Sequence, residues 1–313
     1  MSATPGGTPG PDGTPGSGSV AGPDVVAGQV GPVRAPFGAR LAAAAAAHGP
    51  LCVGIDPHAS LLAAWGLTDA AAGLRTFALT VLDAVAGRVA AVKPQAAFFE
   101  RHGAAGVAVL EEVVAAGRET GTLVVVDAKR GDIGSTMGGY ADAFLRDGSP
   151  LAGDALTVSP YLGVGSLTPA AQAALATGRG LFALCLTSNP EGRSVQHARS
   201  ADGVSVAAQV AAWAAGLNAG ADPQGSVGLV VGATVGDAAA EAGVDLEAVR
   251  GPFLAPGVGA QGAGAAELRA VFGRARGHVL ASSSRGVLGA GPDVGALRAA
   301  ARRAADEAAA ALG

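Results

Sequence analysis

The stretch TLVVVDAKRGDIGST, residues 122–136, decides how this chain folds. An apolar run ends in Asp127 and Lys129, and Asp132 follows in a glycine-flanked loop that leads into a helical pattern. Strand alternation puts Val125, Asp127 and Lys129 on one face and Val124, Val126 and Ala128 on the other. A strand apolar on both faces, ending in charge at its C-terminal edge, fits a parallel sheet covered by helices. The same unit recurs outward in both directions. Strand-length runs stand at 51–56, 90–95, 122–129 and 155–160, then at 181–186, 226–233, 253–259 and 278–284. Helical candidates stand at 69–86, 104–119, 135–146, 168–176, 203–219, 237–242, 264–273 and 293–312. Eight strand–helix units over this length predict an α/β fold of the (β/α)8 TIM-barrel type. A doubly wound open sheet shares the local pattern. The barrel is preferred because Asp56, Lys93, Asp127, Lys129, Ser159, Ser188, Ser284 and Arg285 all fall at strand C-terminal ends, which a closed barrel gathers on one face.

Half of the residues are hydrophobic and 15% are charged, with a formal net charge of −4. That suits a large globular core, and the mild acidity leaves no basic footprint for nucleic acid. Cys52 and Cys185 each lie in an apolar run and read as reduced core residues of a cytoplasmic protein. Residues 1–35 repeat TPG three times without apolar periodicity and read as a disordered Pro/Gly-rich tail. The barrel domain is therefore placed at 36–313. RLAAAAAAHGP (40–50) is too short to span a membrane and lies too far from the start to be a leader.

Of 21 Lys and Arg residues only two are lysine, Lys93 and Lys129, and both end strands. A solvated Asp–Lys pair is the plainer account of D-x-K, and such a pair stabilises little. Here the charges end a buried element, where unpaired charge is costly. Lysine is also a compact cation that can release a proton, whereas arginine stays protonated. Two lysines and two aspartates at one barrel mouth therefore read as proton-transfer and electrostatic machinery.

DAKRGDIGST resembles the D-x-K-x-x-D-I signature of the orotidine 5′-phosphate decarboxylase family. GIDPH, VKPQAAFFE, TVSPYLG, TSNPEG, PGVGAQG and SSSRGVL resemble further segments of that family's second type, in the same order, across residues 51–288. The resemblance implies a cofactor-free barrel enzyme, with no metal, that converts orotidine 5′-monophosphate to UMP in pyrimidine biosynthesis. It also implies a homodimer with shared active sites. It assigns the charge array to Lys93, Asp127, Lys129 and Asp132, with Lys129 as proton donor to C6 and Asp132 serving the neighbouring subunit. Asp56 and Thr136 are implied as ribose contacts, the latter across the dimer, and Ser188 as a pyrimidine contact. Gln261 and Arg285 are implied at the phosphate. Arg285 has separate support, since loops after strands seven and eight usually hold phosphate in such barrels and a guanidinium grips it bidentately.

GVGAQG (257–262) also fits G-x-G-x-x-G, but 50 glycines make such a match uninformative. It follows the seventh strand rather than the first, the wrong context for a dinucleotide site. His58 reads as a solvated loop histidine, Arg130 as a loop or interface charge, and Ser159 as either a site or a capping residue. Glu100 has no role readable from the sequence. The nearest rival is a metal-dependent sugar-phosphate decarboxylase or aldolase of the same superfamily. The rival of another class is a non-catalytic phosphoribosyl-binding barrel.

Overall fold

The computed structural model describes residues 34–258 and 263–313. The tail expectation (1–35) falls almost wholly outside them, as does Gln261. Arg34 is already tied to the folded body, donating to Thr177 O at 2.8 Å. Eight parallel strands close into a barrel in chain order. They are β1 Leu51–Ile55, β2 Ala91–Pro94, β3 Leu123–Arg130 and β4 Ala155–Val158, then β5 Gly180–Leu186, β6 Val227–Val231, β7 Phe253–Pro256 and β8 Val279–Ser283. The ladder from β8 back to β1 (Leu51 on Ala281, Val53 on Ser283) excludes the open sheet.

A helix at the start, α1 (Phe37–His48), precedes the strands. The crossovers are α2 Ala71–Val85, α3 Gly103–Glu119, α4 Gly134–Leu145, α5 Thr168–Ala176, α6 Val206–Leu217, α7 Ala238–Ala242, α8 Ala265–Phe272 and α9 Val294–Leu312. Every anticipated strand and crossover helix is present, with ends moved by a few residues. None of these helices is long and apolar enough to cross a membrane among the described residues.

Apart from their polar C-terminal ends the strands are apolar, because they feed two cores. Leu51, Val53 and Ile55 of β1, with Val124 and Val126 of β3, pack outward against the helices. Cys52, Ala91, Val125, Ala155, Phe182, Val230, Leu254 and Leu280 point inward and fill the barrel. Helix α1 closes its N-terminal end. Phe37 and Leu41 join the inner cluster, and Phe37 meets Phe182 edge-on with ring centroids 5.9 Å apart. The bottom is thus sealed with apolar side chains, and polar strand ends are left to the opposite face. Cys52 lies inside the barrel and Cys185 in the outer layer, and both thiols are free.

Candidate active site

Side-chain alternation carries each inner strand face from core into site. Two residues beyond Ala91, Val125 and Ala155 stand Lys93, Asp127 and Thr157, all buried on adjacent strands. Lys93 Nζ donates to Asp127 Oδ2 at 2.9 Å. Lys129 Nζ donates to Oδ1 at 2.6 Å, and Thr157 Oγ1 donates to the same oxygen at 2.8 Å. The carboxylate thus accepts three bonds, two of them from ammonium groups.

Burial opposes charge on Asp127, but Lys93 and then Lys129 overcome it and hold the carboxyl well below the usual carboxylate range. Burial likewise opposes charge on Lys93, and Asp127 followed by Asp56 raises its ammonium above the ordinary lysine range. Both groups are therefore ionised at neutral pH. Cys52, also on the inner face, is a different case: burial pushes its thiol up to about 12, so it stays protonated.

Lys129 owes its aim to a break in the strand. The β3–β4 register shifts between Val126 and Arg130, a bulge of the kind that re-aims a side chain. Lys129 itself has φ 48°, a left-handed backbone rare in non-glycine residues. That conformation costs roughly 1–2 kcal/mol. Its N–H donates to Thr157 Oγ1 at 2.9 Å. The ammonium remains partly exposed, with 44% of the side chain accessible beside a nearly buried Asp127.

Above this cluster opens a cavity of about 730 Å³, within the range of roughly 300–1,000 Å³ typical of small-molecule sites. Five of the nine residues given a site role in the sequence line it: Asp56, Lys93, Asp127, Lys129 and Arg285. Asp56 follows β1, and its Oδ1 is buried with no hydrogen-bond partner among the described residues. An orphaned buried acceptor aimed at a cavity fits a ligand hydroxyl. Arg285 opens a short helix (Arg285–Leu288) directly after β8. Val230, Leu254 and Pro256 supply an apolar wall.

The other expected residues stand apart from the lining. Ser188 lies beyond β5 on the same face of the barrel and is exposed. Asp132 accepts from Ile133 N–H at 2.8 Å in the loop after β3, and Thr136 is exposed on the first turn of α4. Neither faces its own chain's cavity.

Several residues went unread in the sequence. Thr157 was one letter of ALTVSP, and only the β3–β4 register shows it against Asp127. Ser282 also lines the cavity, beside Ser284, which the sequence placed only at a strand end. Gly54 faces inward, where an added Cβ would lie 1.9 Å from Ser284 Oγ. Glu100 now has a partner: it pairs with Arg130, whose guanidinium sits 5.5 Å from the Tyr140 ring and 5.4 Å from the Phe144 ring. That pair fastens the end of β3 from behind. His58 is exposed at the mouth, with its ring 4.2 Å from Phe98. Ser159 takes part through its backbone, donating to Arg130 O at 2.8 Å. Its carbonyl lies where a Cβ on Gly131 would come within 2.4 Å, so Gly131 permits the close loop approach.

Residues 49–300 match the profile of the Orotidine 5′-phosphate decarboxylase / HUMPS family. The chain is 61% identical over 276 residues to an orotidine 5′-phosphate decarboxylase of Salinispora arenicola, covering 88% of this chain and 98% of the relative. It is 61% identical over 272 residues to the Streptomyces coelicolor protein of the same name, covering 87% and 96%. A crystal structure of a Streptomyces avermitilis protein assigned to that activity superposes with a TM-score of 0.85 at 61% identity, covering 89% and 96%. The OMP decarboxylase structure from Leishmania donovani superposes at 0.71 with 34% identity, covering 88% and 99%.

Proposed function

Because the chain belongs to the orotidine 5′-phosphate decarboxylase / HUMPS family and, at 61% identity to two orotidine 5′-phosphate decarboxylases over nearly their whole length, is a carboxy-lyase of pyrimidine biosynthesis, we propose that it converts orotidine 5′-monophosphate to UMP and CO2 without a cofactor, as a cytoplasmic homodimer with shared sites. The observation that carries this reading is the Asp127 carboxylate held between Lys93 and Lys129 at the closed end of the cavity. The substrate carboxylate sits beside Asp127, so losing it as neutral CO2 relieves a like-charge contact. The carbon–carbon bond breaks with its electron pair left on C6, and Lys129 Nζ delivers a proton there. Opposite charges 4 Å apart attract by about 4 kcal/mol at an effective dielectric of 20, so an ammonium beside C6 lowers the barrier substantially.

The remaining residues divide the rest of the substrate. Asp56 accepts from ribose hydroxyls, and Arg285 with Gln261 holds the phosphate. Ser188 bonds the pyrimidine edge. Asp132 and Thr136 complete the partner's site rather than their own, which their absence from the lining supports. Further support for a covered face comes from Ile133, Tyr161 and Leu162, exposed by 62%, 76% and 51% in the loops after the adjacent strands β3 and β4. Large apolar side chains grouped in the open mark interaction surfaces.

The test is ultraviolet absorbance of purified protein with orotidine 5′-phosphate. The expected result is loss of the orotidine spectrum at a rate that EDTA leaves unchanged. An unchanged spectrum would sink the enzymatic reading, and loss of activity on chelation would favour metal-dependent chemistry.

A further inference from the structure

We infer that Thr157 is a positioning residue that fixes Asp127 and Lys129 relative to each other. It is 1% exposed, on the inner face of β4. Its Oγ1 lies 2.8 Å from Asp127 Oδ1 and 2.9 Å from the Lys129 backbone nitrogen. A hydroxyl has one proton and two lone pairs, while an ionised carboxylate can only accept. The threonine proton therefore points at Asp127, and a lone pair receives the Lys129 N–H. The hydrogen-bond directions allow no other arrangement.

Thr157 thus joins the carboxylate directly to the left-handed backbone of Lys129, at the point where the β3–β4 register breaks. The other two donors to Asp127 are lysines on long flexible stems, and Lys129 gives up its proton in the proposed reaction. Thr157 is neutral, β-branched and stiff at χ1, so its bond to Oδ1 persists when the Lys129 ammonium is spent. It keeps Asp127 from following Lys129 toward the substrate. Strand β4 lies four strands from β8 around a barrel of eight, opposite Arg285, so the effect belongs to the chemical step rather than to phosphate binding.

The rate arm of this inference rests on the decarboxylase reading; the structural arm does not. Thr157→Val keeps the shape and removes the hydroxyl, and Thr157→Ser restores it. In Thr157→Val, kcat for orotidine 5′-phosphate is expected to fall about 10- to 100-fold, the size of a lost hydrogen bond to a charged group. KM should move less than about threefold, as for an interaction used in the transition state alone. Thr157→Ser should recover most of the lost rate. Selective 15N-lysine labelling gives only two backbone amide signals, because the chain has two lysines. The Lys129 amide should exchange at least about 10-fold faster in Thr157→Val and regain protection in Thr157→Ser, with the Lys93 amide in the β1–β2 ladder as internal reference. Wild-type turnover with an unimpaired Thr157→Val enzyme would overturn the inference, as would equal acceleration at both lysine amides. Selective exposure of the Lys129 amide in a protein without turnover would uphold the positioning role and refute the decarboxylase reading instead.

Discussion

Lys93 Nζ and Asp127 Oδ2 meet at 2.9 Å across the β2–β3 boundary, with only 7% and 8% of their side chains exposed. Neither charge is tolerable there alone, and the environment moves the two groups in opposite directions. Asp127 has a depressed folded-state pKa, so its contribution is present above the unfolded value of 3.8 and lost as pH falls toward the folded one. Lys93 has a raised folded-state pKa, so its contribution is present below the unfolded value of 10.5 and lost only as pH rises through the folded one. Between those limits the pair stabilises the fold independently of pH.

Asp127→Asn breaks that balance. It strands a buried ammonium, an error that costs about 3–5 kcal/mol in comparable pairs. Burial then pulls the Lys93 pKa down, so the variant recovers stability as pH rises and the amine becomes neutral. Urea unfolding from pH 5 to pH 9 is expected to show a deficit that narrows steadily toward the alkaline end. A deficit constant across that range would mean that Lys93 finds another counter-charge.

Lys129→Arg is expected to abolish turnover, with kcat reduced by at least about 10³-fold, although the charge is kept. The general-acid contribution alone is about 10²–10⁴-fold, and a guanidinium cannot release its proton. Its planar fork also cannot reproduce the single 2.6 Å contact of the ammonium with Asp127 Oδ1. Urea melts should show little loss of stability, because nearly half of this side chain is already open to water. The companion Lys129→Gly relieves the left-handed backbone at φ 48° and is expected to be inactive yet no less stable than the wild type. A clear loss of stability in Lys129→Gly would show that the ion pair outweighs the strain.

The barrel was legible because each strand is buried on both faces and each crossover helix has a clear break before it. Helix α5 keeps the bounds read from the sequence, and α6 is shorter by a few residues at each end. Helix α1 was missed because its alanines leave no contrast between faces; only Phe37, Gly38 and Leu41 are buried. The charge cluster was legible from strand alternation and the scarcity of lysine. Thr157 was not, because its partners Asp127 and Lys129 lie 30 and 28 residues away and depend on register. The left-handed backbone of Lys129 was equally hidden, since glycine and asparagine are the residues that advertise that conformation. Gly54 was lost among 50 glycines until the position of Ser284 explained it.

That contact gives a test of its own. A Cβ at position 54 would lie 1.9 Å from Ser284 Oγ, 2.9 Å from Ser284 Cβ and 3.0 Å from Asp56 Oδ2. Rotating the serine hydroxyl cannot relieve all three. Gly54→Ala is expected to cost about 1–3 kcal/mol, the usual penalty for overpacking, and to raise KM by disturbing Asp56. The double variant Gly54→Ala/Ser284→Gly should recover most of the stability, a coupling that a double-mutant cycle in urea measures directly. Additive losses would place the strain elsewhere.

The proposal of shared sites makes a sharper demand. Lys93 lines the cavity of its own chain, whereas Asp132 does not. Lys93→Ala and Asp132→Asn should each be inactive as pure dimers. In a mixed dimer, one site combines both lesions and the other has intact Lys93 from one chain and intact Asp132 from its partner. Random reassortment of equal amounts makes half of the dimers mixed, so about a quarter of all sites should be restored, as expected for an isologous pair that exchanges one residue each way. The recovered rate should follow the kinetics of subunit exchange and vanish if the subunits are cross-linked before mixing. Inactive mixtures, with exchange verified by native mass spectrometry, would place Asp132 in its own chain's site and require the loop after β3 to fold inward over Lys129.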